Sequence, residues 1–256
     1  MSRILPGPPG RAQALKAVAH VHSEWSYDGS WPLSRIAATF SRRGYHVVLM
    51  SEHSRGFTAA KWDDYRQACA EASTDRVRLV PGIEYGDEDN VVHIPVWGPV
   101  PFFGDEPQIA DLLKQATTAG GTAVWAHPWR RAAWQRCEPS WWDYLGAVEV
   151  WNRKYDGIAP NRDSLALARE HTAARFVSLD LHTRRQLFPL SMSLSVPGAD
   201  AGQAVPDCDQ VYRALHDGNF AARAFGIALD RLTAGPAAQA LRLLEGTRSA
   251  VARVVH

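Results

Sequence analysis

Six of the ten histidines in this sequence lie in or directly after short apolar segments that are typical of strands. Carboxylates occur at similar places, and the combined set is His20, His22, Asp28, His53, Glu84, His93, His127, Asp180 and His182. So many polar groups brought together without partners would be costly to bury, and bound cations would supply those partners. Nitrogen and oxygen donors without cysteine suit Zn, Mn or Fe. Nine candidate ligands are too many for one ion, so the pattern predicts two or three divalent metal ions.

Two pairs of these candidates are separated by a single residue. His20 and His22 follow the first apolar segment, and Asp180 and His182 follow a later one. Because residues i and i+2 of a strand face the same side, each pair can bind one ion. A lone histidine on an apolar strand is more often a packed core residue, but six that converge favour a metal site.

The elements that must position these side chains alternate along the chain. The sequence predicts strands at 15–19, 45–51, 76–84, 90–98, 122–127, 147–151 and 174–180. It predicts helices at 33–43, 59–72, 105–119 and 162–171. This alternation indicates an α/β protein with a largely parallel sheet, and the number of strands favours a closed or nearly closed barrel. The ends of barrel strands meet at one rim, where barrel enzymes place their chemistry.

The pattern beyond residue 185 is less regular. We expect a strand within 187–197, a helix at 206–216, an extended segment at 219–229 and a terminal helix. No repeat or linker is evident, so the sequence predicts a single domain over 1–256. Its core would cover roughly 14–226, followed by a C-terminal helical tail.

Composition narrows the class of function. The net charge of +1 gives no reason to expect a nucleic acid polymer or a membrane as partner. Cys69, Cys137 and Cys208 lack metal-binding or disulfide spacing and are expected to be free thiols in a reducing compartment. The N-terminus has no apolar core of a signal peptide, and no apolar run is long enough to span a bilayer. We therefore expect a cytoplasmic protein; the oligomeric state stays open.

Six short motifs, in series over residues 20–182, are HVHSEWSYDG, SEHS, PGIEY, VVHI, AHP and SLDLH. Together they resemble the PHP (polymerase and histidinol phosphatase) family of metallohydrolases, near its carbaryl-hydrolase-like branch. The resemblance implies a distorted (β/α)7 barrel of the TIM-like type with a centre of two or three metals. One departure is that Glu52 stands where the family usually has Asp before the histidine, which leaves the role of Glu52 open.

The resemblance also implies how the ligands divide among the ions. His20, His22, Glu84 and Asp180 would hold the first metal. Glu84 would bridge to a second metal, which His93 and His127 complete. A third metal would be held by Asp28, His53 and His182.

Closely spaced metals generate hydroxide at neutral pH and clamp the group that it attacks, which fits phosphoester hydrolysis best. The predicted catalytic residues are Asp180, which would orient the water, and Arg130. Arg131, Lys154, Arg184 and Arg185 follow other candidate ligands or strand ends and are predicted to bind a phosphorylated small molecule. Hydrolysis of a carbamate, ester or amide by the same centre is an alternative, and a non-catalytic PHP module is another.

Tryptophan is abundant, with ten residues, and several lie near these motifs. Packing explains them as well as a cleft does. On the loop after the first strand, Trp25 and Tyr27 are the residues we expect to influence substrate selection.

Overall fold

The computed structural model describes residues 13–196 and 205–255. Residues 1–12 lie outside this range, and they include most of the N-terminal segment for which no signal peptide is expected. The strands are β1 (Gln13–Val21), β2 (Val47–Met50), β3 (Glu52–His53), β4 (Arg78–Val80), β5 (Gly82–Gly86), β6 (His93–Trp97), β7 (Thr122–Trp125), β8 (Leu145–Asn152), β9 (Ala174–Ser178), β10 (Leu190–Val196), β11 (Phe220–Ala224) and β12 (Ile227–Ala228). The helices are α1 (Leu33–Ser41), α2 (Ala59–Ala72), α3 (Ile109–Thr118), α4 (Arg153–Asp156), α5 (Arg162–Glu170), α6 (Cys208–His216) and α7 (Gly235–Val255).

Within the described residues the strands form two six-stranded sheets. Their orders are β12-β11-β10-β1-β2-β4 and β3-β5-β6-β7-β8-β9. The pairs β1–β2, β2–β4, β3–β5, β7–β8 and β8–β9 are parallel. The prediction of a largely parallel sheet is wrong at β6 and β10, which run antiparallel to both neighbours. For β6 the reason is the short connection from β5, which allows a hairpin but not a crossover.

The predicted strand 76–84 is two strands, β4 and β5, separated by Pro81. Because proline has no backbone N–H, it interrupts the hydrogen bonding of a strand. The neighbouring strand is also divided, into β2 and β3, at Ser51. As a result β4 pairs with β2 in one sheet, and β5 pairs with β3 in the other.

Backbone hydrogen bonds also connect β1 with the segment that follows β9. The Leu179 N–H donates to Ala19 O at 3.1 Å, and the Leu181 N–H donates to His20 O at 3.0 Å. The His22 N–H returns a bond to Leu181 O at 3.0 Å. The H-x-H and D-x-H motifs are therefore hydrogen-bonded neighbours in the structure.

The core lies between the strands and the helices that cover them. In α1, Ile36 and Phe40 lie one turn apart and are both buried, as an amphipathic helix requires. Trp97, Trp125 and Trp151 are completely buried, so packing explains these tryptophans. The Trp97 indole N–H also donates to Met50 O at 2.7 Å.

Local sequence explains where the helices begin and end. Asp207 caps α6 by accepting a hydrogen bond from the Gln210 N–H, and the Gln210 side-chain oxygen in turn accepts one from the Asp207 N–H. After α3 the chain turns at Gly120 with a φ of 81°, which confirms the predicted helix stop.

The predicted C-terminal helix is present as α7. It contacts the segment after α4 through Glu245, whose carboxylate accepts the Ile158 N–H at 2.8 Å. The extent of the domain stays a prediction. Among residues 13–196 and 205–255, no helix combines the length and hydropathy needed to cross a membrane. All three cysteines lie in the described part of the chain and are free, as expected.

Candidate metal centre

The carboxylate of Glu84, in the middle of β5, lies at the centre of a cluster of imidazoles and is almost completely buried. The nearest imidazole nitrogens are those of His93 at 2.8 Å, His53 at 3.0 Å, His20 at 3.1 Å, His127 at 3.3 Å and His22 at 3.5 Å. Burial raises the pKa of Glu84, but the imidazoles of His93 and His20 outweigh burial and hold the pKa well below its ordinary value. Glu84 is thus an anion that five predicted ligands surround.

Asp180 provides a second buried carboxylate on the same cluster. Its oxygens lie 3.6 Å from His22 Nε2, 3.7 Å from His127 Nε2 and 3.2 Å from His182 Nδ1. Burial raises the pKa of Asp180, and the charge of His20 together with other neighbours reverses the shift and lowers it.

Asp28 completes the cluster at its outer side, where it is about one-third exposed. One of its oxygens lies 2.9 Å from His182 Nε2 and 3.3 Å from His53 Nε2. The structure therefore brings all nine predicted ligands together. The candidate ligand atoms form four groups, and within each group all atoms lie within 4.8 Å of one another. The groups are His22–Asp28–His53–His182, His20–His22–Glu84, His20–His127–Asp180 and His53–Glu84–His93. Because these groups share residues, the division among two or three ions stays a prediction.

The hydrogen bonds of the imidazoles fit a metal site. His20 Nδ1 donates to Glu149 at 2.8 Å, and His22 Nδ1 donates to Ser26 Oγ at 3.2 Å. When the rings are neutral, these bonds leave the Nε2 lone pairs of both rings directed toward the cluster. Within the described part of the chain, these two nitrogens and Glu84 Oε2 are buried without a hydrogen-bond partner. Imidazoles that are oriented by a hydrogen bond at one ring nitrogen, and whose other nitrogen is free to coordinate, suit divalent cations.

Three of these ligands have an unusual backbone conformation. His20, His127 and Asp180 have φ values of 61°, 30° and 49°, in the left-handed region that residues other than glycine seldom adopt. Each directly follows the apolar segment of its strand. Such backbone strain costs of order 1–3 kcal/mol per residue and concentrates at functional sites.

His93 reaches the cluster in a different way from the other ligands. It is the first residue of β6, opposite Gly86 at the end of β5. Because β6 runs antiparallel to β5, its start lies at the rim where the parallel strands end. The prediction that one rim collects the ligands is therefore correct for His93 even though the strand direction was not foreseen.

Glu149 is a residue of the candidate site that sequence reasoning missed. It is completely buried in β8, where one oxygen accepts from His20 Nδ1 and the other accepts the His127 N–H at 3.0 Å and Asn152 Nδ2 at 2.8 Å. The available signal was a carboxylate in the middle of the apolar strand LGAVEVWN. A charge at such a position requires partners, which here are two predicted ligands.

Replacing Glu149 with glutamine should weaken metal binding while the protein stays folded. Both oxygens of Glu149 accept hydrogen bonds, so the amide of the replacement would have to direct its NH2 group at another donor. We expect Glu149→Gln to lower metal affinity by about 10- to 100-fold, as is typical for residues that orient ligands. Titration of the apo protein with Mn or Zn measures this, with Glu170→Gln on the exposed end of α5 as control. Equal affinities would refute the orienting role.

Glu52, whose role the sequence left open, is completely buried but belongs to none of the four ligand groups. It accepts hydrogen bonds from the Ser23 N–H and hydroxyl, from Ser26 Oγ at 2.6 Å and from Tyr65 Oη at 3.2 Å. Burial is the largest influence and raises the pKa of Glu52. The residue fixes the loop after β1, on which Asp28 lies.

Two predicted functional cations lie against the cluster, the substrate-binding residue Lys154 and the catalytic residue Arg130. Lys154 Nζ is 3.3 Å from Asp180 and 3.4 Å from both nitrogens of His182. Arg130 lies 3.2 Å from His93 Nε2 and donates to Asn90 O and to Tyr155 Oη.

The other three predicted arginines are exposed. Arg131 donates to Asn90 O at 3.2 Å. Arg184 and Arg185 lie on the short helix Arg184–Gln186 directly after His182. Within the described residues the side chains of these two form no hydrogen bond or ion pair. Their contact with substrate stays a prediction.

Solved structures with this fold have very different sequences. A two-domain protein from Bacteroides vulgatus that contains a predicted PHP-like metal-dependent phosphoesterase has a TM-score of 0.60 at 16% identity, over 87% of this chain and 68% of its own. PsfC from Pseudomonas syringae has a TM-score of 0.57 at 13% identity, over 92% and 97%. The lesion-specific endonuclease EndoQ from Pyrococcus furiosus has a TM-score of 0.54 at 13% identity, over 80% of this chain and 56% of its own.

No protein-family model matches the sequence, and no curated protein is similar to it. The carbaryl-hydrolase-like branch therefore stays a prediction. The likeness of the structures, together with the arrangement of the two sheets and their helices, gives the fold. The chain has a mixed α/β fold like that of the Bacteroides vulgatus protein, which contains a predicted PHP-like metal-dependent phosphoesterase, and like that of PsfC.

Proposed function

We propose that this protein is a metal-dependent phosphoesterase that acts on a small phosphorylated molecule. The observation that carries this proposal is the convergence of Glu84 and the eight other candidate ligand residues in one cluster, with Lys154 and Arg130 directly beside it. Divalent ions held by these ligands would supply a hydroxide nucleophile and stabilise the negative charge of a phosphoryl group.

The protein groups around the cluster have distinct roles. Glu84 and Asp180 would hold the ions between the two sheets, and Glu149 would keep the ring of His20 in position. Asn152 donates to Asp180 at 3.4 Å and Lys154 donates to it at 3.3 Å, and the carboxylate held by these bonds would orient a water molecule at the cluster. The ammonium of Lys154 and the guanidinium of Arg130 approach from two sides and fit phosphoryl oxygens.

The proposal extends to the fold. Each of the interrupted strands β2–β3 and β4–β5 counts as one strand, and hydrogen bonds join β1 to the segment after β9. A ring of seven strands results, which supports the distorted (β/α)7 barrel. A ring of this kind directs the ligand-bearing ends of its strands toward one rim.

The direct test is turnover by the purified protein loaded with Mn, Zn or Fe. We expect hydrolysis of p-nitrophenyl phosphate or its bis ester, and loss of activity in chelator. An aryl carbamate tests the alternative hydrolase reaction, and a DNA duplex with an abasic site tests nucleic acid, since a structural neighbour is an endonuclease. If the protein binds metal but hydrolyses none of these compounds, the phosphoesterase proposal is wrong. If it has no measurable affinity for metal, the non-catalytic module is favoured.

Removing the charge of Lys154 should reduce catalysis without loss of metal. We expect Lys154→Met to lower kcat/KM for a phosphate ester by about 10- to 100-fold, because a hydrogen bond to a charged group contributes about 1.5–3 kcal/mol. Metal content should be unchanged, since lysine is not a ligand. Lys114→Met, on the exposed face of α3, is the matched control. An unchanged kcat/KM for Lys154→Met would show that the residue does not contact substrate.

A further inference from the structure

The ring of Tyr27 covers one of the cluster imidazoles and is nevertheless largely exposed. It stacks on His53 with ring centroids 4.9 Å apart and an interplanar angle of 19°. The side chain is still 62% exposed. One face of the phenol ring is therefore occupied by a predicted metal ligand, and the opposite face is open to solvent.

The position of this ring is fixed by the loop that carries it. Ser26 Oγ donates to Glu52 and accepts the His53 N–H at 3.0 Å, and the Ser26 N–H donates to Ser23 O at 3.1 Å. The residue before Tyr27 is thus held by the same network that positions the cluster. An aromatic ring that is fixed before a ligand arrives loses little conformational entropy when the ligand binds.

Trp25, the other aromatic residue of this loop, has a different environment. Its ring is partly buried and packs against the core, with ring centroids 5.4 Å from Tyr65 and 6.5 Å from Phe57. Of the two residues expected to influence substrate selection, Tyr27 alone presents a free ring face at the cluster.

An open cleft lies beside the Tyr27 ring, which forms part of its lining. Its floor includes His53, Glu84 and His93, which belong to the cluster, and its outer wall includes the Arg55–Glu106 ion pair. A phosphoryl group at the cluster would place its ester substituent in this cleft, against Tyr27.

Tyr155 is the other exposed aromatic side chain on the cluster, but it is less suited to this task. Its ring is tilted by 59° to that of His127, and its hydroxyl group accepts a hydrogen bond from Arg130. It also lies outside the residues that line the cleft.

We propose that Tyr27 determines substrate specificity by stacking on a planar aromatic ester group, so that the substrates are phosphate esters of aromatic alcohols or of similar ring-bearing groups. This inference rests on the proposed phosphoesterase function. Aromatic stacking favours a planar ring over a non-planar one by up to about tenfold in affinity.

The test compares two ligands that differ only in planarity. Benzylphosphonate and cyclohexylmethylphosphonate are not hydrolysed, so calorimetric binding to the Mn-loaded full chain reports affinity without turnover. We expect the wild type to bind the benzyl compound about tenfold more tightly. Tyr27→Phe should keep this preference, whereas Tyr27→Ala and Tyr27→Leu should lose it. Phe225→Leu, an exposed aromatic outside the cleft, should keep it.

Turnover of benzyl phosphate and cyclohexylmethyl phosphate separates this inference from the function on which it rests. A preference that depends on Tyr27 in binding, with neither ester hydrolysed, would support the role of Tyr27 and overturn the phosphoesterase proposal. Hydrolysis of both esters with the same ratio of kcat/KM in the wild type and Tyr27→Ala would overturn the role of Tyr27 and leave the phosphoesterase intact.

Discussion

Glu84→Gln is expected to abolish activity and to lower metal content by more than half, while the protein remains folded. Five imidazole nitrogens lie within 3.5 Å of this carboxylate. Glutamine removes the negative charge and replaces one ligand oxygen with an NH2 group, which cannot bind a cation. A loss of about 4 kcal/mol in charge stabilisation corresponds to a decrease of about 1,000-fold in kcat/KM.

Metal analysis by mass spectrometry and turnover of a phosphate ester measure both effects. The control is Glu88→Gln, in the exposed turn after β5, which changes the net charge equally but lies outside the cluster. Full metal content in Glu84→Gln would show that the carboxylate is not a ligand. Reduced metal content with normal turnover per bound metal would show that the affected ion is not the catalytic one.

Gly82→Ala is expected to destabilise the fold by about 3 kcal/mol, because an added methyl group overpacks the core. A Cβ atom at residue 82 would overlap the indole ring of Trp97 and lie 2.7 Å from Met50 O. That carbonyl accepts the hydrogen bond of the buried Trp97 side chain, so the ring cannot move away without losing the bond. Urea denaturation followed by tryptophan fluorescence measures the change.

Gly246→Ala is expected to have the opposite effect on the free energy of unfolding in the same experiment. Gly246 is exposed in α7. Apart from its chain neighbours and the backbone of its own helix, no heavy atom of the described residues would lie within 4 Å of the added Cβ. Alanine has a higher helix propensity than glycine, so this substitution should stabilise the protein by up to about 1 kcal/mol. If Gly82→Ala matched the stability of the wild type, the packing of Trp97 against β5 would have to be reconsidered.

The ligands could be predicted from sequence because most of them lie in, or directly after, a short segment of apolar character. His127, for example, ends the segment TAVWAH, and His53 follows VVLMSE. Residue type and position along the chain were sufficient, since the fold brings strand ends together. The structure confirms that they lie together, while their identity as ligands stays a prediction.

Strand direction and the supporting hydrogen bonds could not be predicted in the same way. The antiparallel direction of β6 depends on a short connection, which residue periodicity does not report. Glu149 was missed because its importance comes from His20, a residue 129 positions away in sequence. The Lys154–Asp180 contact could likewise not be predicted from the sequence, because only the packed structure shows which cation lies against which carboxylate.

The backbone at His20, His127 and Asp180 sets a condition for anyone who would transplant this centre into another scaffold. A designer who placed the nine side chains on regular strands would give these three positions extended dihedral angles instead of positive φ values. The two imidazoles and the carboxylate would then project along different directions. A faithful copy therefore has to reproduce three left-handed backbone positions, and the surrounding sheet that holds them, along with the ligand residues themselves.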